Sequence, residues 1–206
     1  MKYKSIYIII TVILAIILAG FLIIIYKNNN KETELPKINF DAEAQLPNTN
    51  INFKYPKEGF YNLGINITDI AASETLIAGV HIESTAEFDR NAQSAYVVAE
   101  IKLLKNEKNF EDIEKFSSAY KEDPSLSMFD KEYAKENGHI LDIKGNRYFI
   151  YKVAEDATVW RAVTITEEGI VEVNLAYTNS FTPHSETIYK NNDGLFLEIL
   201  ENISPR

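Results

Sequence analysis

Val159-Trp160-Arg161-Ala162-Val163-Thr164-Ile165-Thr166, then Glu167-Glu168-Gly169, then Ile170-Val171-Glu172-Val173-Asn174-Leu175-Ala176-Tyr177: two runs rich in β-branched residues, separated by a short acidic turn, decide how this chain folds. The link is far shorter than the dozen or so residues a parallel crossover needs, so the two runs are antiparallel neighbours. The same grammar extends backwards. Ile140 to Ile143 and Arg147 to Val153 read as two further strands, with turns at Lys144-Gly145-Asn146 and Glu155-Asp156. The four form an antiparallel meander.

Further upstream the period changes and then returns. Phe110, Ile113, Phe116 and Tyr120 fall near helical spacing, with Asn109 as N-cap and Glu111 and Asp112 at the positive end of the dipole. Asp123-Pro124 ends that helix. A second short helix is predicted from Ser127 to Asn137, closed by a left-handed Gly138. Before them, Thr75 to Ile82 and Tyr96 to Leu104 read as strands. In the latter Val97, Ala99, Ile101 and Leu103 share one face, Glu100 and Lys102 the other. Ile51 to Tyr55 and the alternating Leu63, Ile65 and Ile67, joined through Pro56-Lys57-Glu58-Gly59, are predicted to form a hairpin. Phe196, Ile199, Leu200 and Ile203 are spaced i, i+3, i+4, i+7 and predict a terminal amphipathic helix starting near Asp193.

Outside this region the chain is organised differently. Residues 6–25 carry no charge and are long enough to cross a bilayer as a helix. The run exceeds the length of a typical signal-peptide core, and a lipoprotein signal is excluded because the chain has no cysteine to carry the lipid. Residues 1–26 are therefore expected to be a membrane anchor, embedded through 6–25. Residues 27–50, polar and interrupted by Pro36 and Pro47, read as a flexible linker, and 51–206 as one α+β domain. A short basic tail before the span, with Lys2 and Lys4, favours an uncleaved signal anchor that leaves the domain outside the cytoplasm at the cell membrane. The abundance of Ile, Lys and Asn fits a bacterial chain.

Charge narrows the function. Residues 1–31 hold four lysines and no acid, so the rest carries 17 basic against 30 acidic side chains. Such a domain is not a nucleic-acid binder, because that affinity comes from clustered cations releasing counterions. The expected partners are the bilayer and an envelope protein or cell-wall component. No cofactor is expected.

Two constellations carry candidate chemistry. His81 and Glu83 lie two apart in a predicted strand and point to one face, which suits two metal ligands or a plain surface pair; no HExxH or paired-His motif supplies a third ligand. On the paired strands quoted above, Arg161 lies on the face of Val163 and Ile165, and Glu172 and Asn174 oppose the core set Val171, Val173 and Leu175. Together with Trp160, the only tryptophan, they outline a shallow binding groove of Trp160, Arg161, Glu172 and Asn174. A tryptophan partly covered by a helix is the alternative. There is no G-x-S-x-G elbow, no cysteine nucleophile, no phosphate-cradling glycine loop and no EF-hand loop, and the acid pairs such as Glu167-Glu168 sit in turns. A carboxylate-dependent hydrolase working near Trp160 and a structural spacer stand as alternatives to a non-catalytic binding domain.

The order of elements resembles the PsbP/Mog-like domain family over residues 50–206. The resemblance rests on Phe53-Lys54-Tyr55-Pro56 with Gly59, the Phe110 to Phe116 helix, Ile143-Lys144-Gly145-Asn146-Arg147-Tyr148, the strand pair around Gly169, and Phe196 to Ile203 with Ser204. It implies an antiparallel sheet packed between helices, an α/β/α sandwich, and a mostly non-catalytic binding or assembly role. It carries no site residue onto this chain.

Overall fold

Alternation of apolar and polar residues builds two antiparallel sheets. The structure, a computed structural model, describes residues 37–60, 64–85, 96–122, 136–152, 159–177 and 192–205. The chain divides into two units, 1–34 and 35–206, and every described residue belongs to the second. The anchor predicted over 6–25 lies outside the described residues. Among the described residues no helix is long and apolar enough to cross a membrane.

The strands are β1 (Ala42–Gln45), β2 (Asn52–Tyr55), β3 (Asn66–Asp69), β4 (Leu76–Thr85), β5 (Tyr96–Leu104), β6 (His139–Ile143), β7 (Asn146–Lys152), β8 (Val159–Thr166), β9 (Gly169–Tyr177) and β10 (Ile203–Ser204). Two helices, α1 (Ile113–Glu122) and α2 (Asn192–Glu201), join them. Seven strands form one sheet in the order β3-β4-β5-β9-β8-β7-β6, and β1-β2-β10 form a smaller one. The last four strands of the large sheet are the meander. Its β6–β7 turn places Lys144 and Gly145 at φ 51° and 84°, the two positive angles that a two-residue hairpin turn needs to match the twist of its strands.

This arrangement corrects the α/β/α sandwich. The chain is mostly β, and its two described helices are ten residues each. One face of the large sheet carries Val80, Ile82, Ala99, Ile101, Val173, Leu175 and Ile150, which pack on Phe196, Ile199 and Leu200 of α2 and also on Phe53 and Ile203 of the small sheet. Where the sandwich would put a second layer of helix, a second sheet takes part of the burial. The other face is covered by α1 only over its β6-β7-β8 side, where Ile113, Phe116 and Tyr120 meet Phe149, Tyr151 and Val163.

Local departures have local causes. Residues 42–45, inside the stretch read as linker, form β1, and Ile38 and Phe40 pack on the core. The predicted hairpin of 51–55 with 63–67 does not form: β2 pairs with β1 and β10, whereas β3 joins the large sheet beside β4. The cap of α1 is Asp112, whose Oδ1 accepts from the Lys115 N–H at 2.8 Å, while Asn109 sits in a turn at φ 52°. The terminal helix stops at Glu201, and Ile203 leaves it to pair with Phe53. Of the second predicted helix, residues 127–135 lie outside the described residues, and Gly138 does not have a positive φ.

Candidate functional site

Cross-strand register gathers polar residues that are far apart in sequence. Thr68 of β3 faces His81 of β4, which faces Glu100 of β5, then Asn174 of β9, Arg161 of β8 and Tyr151 of β7. One rung thus crosses six strands on the face that α1 covers only in part. The neighbouring rung adds Lys102 and Glu172, paired with each other across β5 and β9. Period-two alternation along each strand keeps the main core set on the opposite face and these polar groups on this one, beside the Phe149 and Val163 that α1 covers.

The groups are joined edge to edge. Arg161 Nε donates to Asn174 Oδ1 at 2.7 Å and lies 3.6 Å from Glu172 Oε2. Asn174 Nδ2 donates to Glu172 Oε1 at 3.0 Å and reaches Glu100 Oε2 at 3.4 Å. Lys102 Nζ donates to that same Glu100 oxygen at 2.5 Å. The His81 ring lies between two carboxylates, with Nδ1 3.4 Å from Glu100 Oε1 and Nε2 3.8 Å from Glu83 Oε2. At the far end Arg161 Nη1 is 3.5 Å from the Tyr151 hydroxyl. Burial grades along the row: the side chains of Arg161 and Glu172 are 13% and 16% exposed, those of His81 and Glu83 31% and 32%. The row therefore has a sheltered end and a wetter end.

Electrostatics follow from these contacts. Burial pushes the Glu100 carboxyl up, but the hydrogen bond and charge of Lys102, with the Asn174 amide and the His81 ring, outweigh it and hold Glu100 below the usual carboxylate range. Burial pushes the Tyr151 phenol well above its ordinary range, although the Arg161 charge opposes it. Arg161 is disfavoured by burial as well, and Glu172 beside it more than restores the charged form. A charge-assisted network of this kind is held together because removing any one member strands another.

The residues singled out from sequence are placed as follows. Arg161, Glu172 and Asn174 come together. Trp160 does not join them: it points to the opposite face, stacked on Phe196 with centroids 5.7 Å apart and the Lys152 ammonium 4.7 Å from its ring. A hydrolytic groove combining Trp160 with these carboxylates is therefore not assembled. His81 and Glu83 share a face, and the two ring nitrogens of His81 are turned to two different carboxylates. Among the described residues no group of three or more His, Cys, Asp or Glu side chains is arranged to hold a metal ion. Glu100, Lys102 and Tyr151 are the members that motif reading passes over. Glu100 and Lys102 carry a signal nonetheless, since two charges alternate with buried Ala99, Ile101 and Leu103 in one strand. No family model, curated protein or solved structure matches the chain.

Proposed function

We propose that the chain is a single-pass membrane protein, tethered through residues 6–25, whose β domain is displayed outside the cytoplasm and binds a component of the envelope through the His81-to-Arg161 row. The observation that carries the reading is the row itself. Hydrogen-bonding groups from adjacent strands converge on one rung of a sheet face, and the accessible ones lie at its His81 end. A sheet face needed only for packing is served by apolar residues, as the opposite face is. The uncharged run at 6–25 and the acidic balance of the rest support display away from an anionic bilayer surface.

The test uses the absence of native cysteine. Single cysteines placed at Asn30 and Asn191 are expected to react with a membrane-impermeant maleimide on intact cells, and one beside Lys2 only after lysis; the reverse pattern sinks the display outside the cytoplasm. Lys102→Met and Glu172→Gln, with thermal unfolding checked for each, are expected to abolish co-purification of the envelope component. Folded variants that retain the component unchanged would remove the row from the binding reading.

A further inference from the structure

We propose that two copies of this chain join edge to edge through β6, continuing the large sheet across a two-fold axis at Leu141. This inference depends neither on the polar row nor on the membrane tether.

β6 is the outermost strand of the large sheet, and it pairs with β7 residue for residue from His139↔Ile150 to Ile143↔Asn146. The turn between them decides which backbone groups this ladder leaves over. Lys144-Gly145 is a two-residue turn, so the flanking Ile143 and Asn146 exchange hydrogen bonds across it. Hydrogen-bonded and non-hydrogen-bonded pairs alternate along an antiparallel ladder. The N–H and C=O of His139 and Leu141 therefore face β7, as those of Ile143 do, and those of Ile140 and Asp142 face outward. Among the described residues no strand pairs with that outer side. An unpaired strand edge is a template for another strand, and sheets ordinarily blunt it.

The other edges are blunted. β3 carries exposed Asn66, Thr68 and Asp69, β1 carries exposed Glu43 and Gln45, and β10 is two residues followed by Pro205. β6 has no proline, no lysine and no irregularity in its pairing. Its one acid is no guard, because Asp142 Oδ1 is turned back to accept from the Gly145 N–H at 3.0 Å. At its centre stands Leu141, 36% exposed; the other large apolar side chains at the surface, Ile77 and Leu197, lie in the interior strand β4 and on α2.

The occupant is a second copy because the edge is complementary to itself, as an isologous contact requires. A two-fold axis at Leu141 sets Leu141 against its own copy and Ile140 against Asp142 of the second copy. The outward groups of Ile140 and Asp142 then meet in hydrogen-bonded pairs, and Leu141 falls at the non-hydrogen-bonded position between them, where opposed Cα atoms come to about 4.5 Å and side chains touch. Both leucines lie on the face of Ile143, Tyr148 and Ile150, so their contact prolongs the main core across the junction. Neighbouring registers fail. An axis at Asp142 opposes two carboxylates, and an axis at Ile140 needs the edge of Gly138, which is buried.

The absence of native cysteine makes the axis testable in the full chain in mild detergent. Leu141→Cys is expected to form a disulfide-linked dimer under copper phenanthroline at least about tenfold faster than Ile77→Cys or Leu197→Cys, which are comparably exposed but off the edge, because Cα atoms about 4.5–5.5 Å apart suit a disulfide. Leu141→Lys and Leu141→Glu are each expected to weaken self-association in sedimentation about tenfold, by opposing like charges and removing the leucine contact, and mixing the two variants is expected to restore it. Cross-linking at position 141 no faster than at 77 and 197 would overturn the two-fold axis. Self-association indifferent to charge at 141 would overturn the pairing through β6, and a chain that stays monomeric up to about 100 μM would overturn the dimer altogether. Capture of a foreign protein by the Leu141→Cys variant without a homodimer would overturn the second copy as occupant.

Discussion

Replacing Tyr148 by phenylalanine is expected to stabilise this protein. Tyr148 is 0% exposed, and its hydroxyl has no hydrogen-bond partner among the described residues. Stripping water from a polar group without replacing its hydrogen bonds costs about 1–3 kcal/mol. Deleting the oxygen recovers that penalty and leaves a void smaller than a methyl group, worth less than about 1 kcal/mol. The balance is a gain of about 1 kcal/mol, or about 2–4 °C in Tm for a domain of this size. Tyr151→Phe is the control: its hydroxyl meets Arg161, so its removal should cost about 0.5–1.5 kcal/mol. Burial also pushes both phenols well above the ordinary tyrosine range. The stability tied to them is complete below about pH 10, the ordinary tyrosine value, and is lost as pH climbs, because the unfolded chain then releases protons the folded chain keeps. Urea unfolding of the full chain in mild detergent at pH 7 and under alkaline conditions measures both effects. Tyr148→Phe should raise the midpoint at pH 7 and flatten the alkaline loss. A destabilisation of about 1 kcal/mol or more, the size of a broken hydrogen bond, would refute the reasoning.

Three further outcomes are expected. Glu100→Gln should lower stability at neutral pH and remove part of the acid dependence: a carboxyl held low contributes fully above its ordinary value of about 4.3 and loses that contribution as pH falls below it, so the mutant and parent curves should converge in acid. Phe149→Ala should cost about 3–5 kcal/mol in urea unfolding, since its fully buried ring meets Phe116, Tyr120 and Tyr151 at centroid distances of 6.4, 5.5 and 5.5 Å. Gly169→Ala should cost more than Gly145→Ala in the same assay: a Cβ on Gly169 would lie 2.3 Å from the Leu104 carbonyl at φ 148°, whereas Gly145, also at positive φ, has open space around it.

Sequence periodicity finds the elements whose residues announce their own environment. β5, β8 and β9 alternate so regularly that strand, face and core were all readable, and the turn chemistry at Lys144-Gly145 marked the hairpin between β6 and β7. Elements created by their partners were not readable. β1 is Ala-Glu-Ala-Gln, with no β-branched residue, and exists because β2 offers it an edge. β10 hides inside a helical spacing that Ile203 satisfies by position while pairing with Phe53 in fact. The site divides in the same way. Alternation already sets Trp160 and Arg161 on opposite faces, since they are neighbours in one strand. The meeting of His81, Glu100 and Asn174, however, depends on the nonlocal β5–β9 pairing and on the register of β4, which carries an irregularity between Leu76 and Ala78. Neither is encoded in a short window.

The small sheet makes the order of synthesis matter. Its central strand is laid down early, yet Phe53 finds its partner Ile203 across 150 residues of chain, and the Lys54 N–H is taken by the Asn202 carbonyl. A chain still emerging from a ribosome or threading a translocation pore holds β2 with one flank bare and part of the core face uncovered, so the domain cannot ratchet shut piece by piece. Closing so long a loop costs only logarithmically in free energy but makes the final docking late and nonlocal. The interval before residues 203–204 arrive is the one in which chaperones or proteases would compete for the exposed strand.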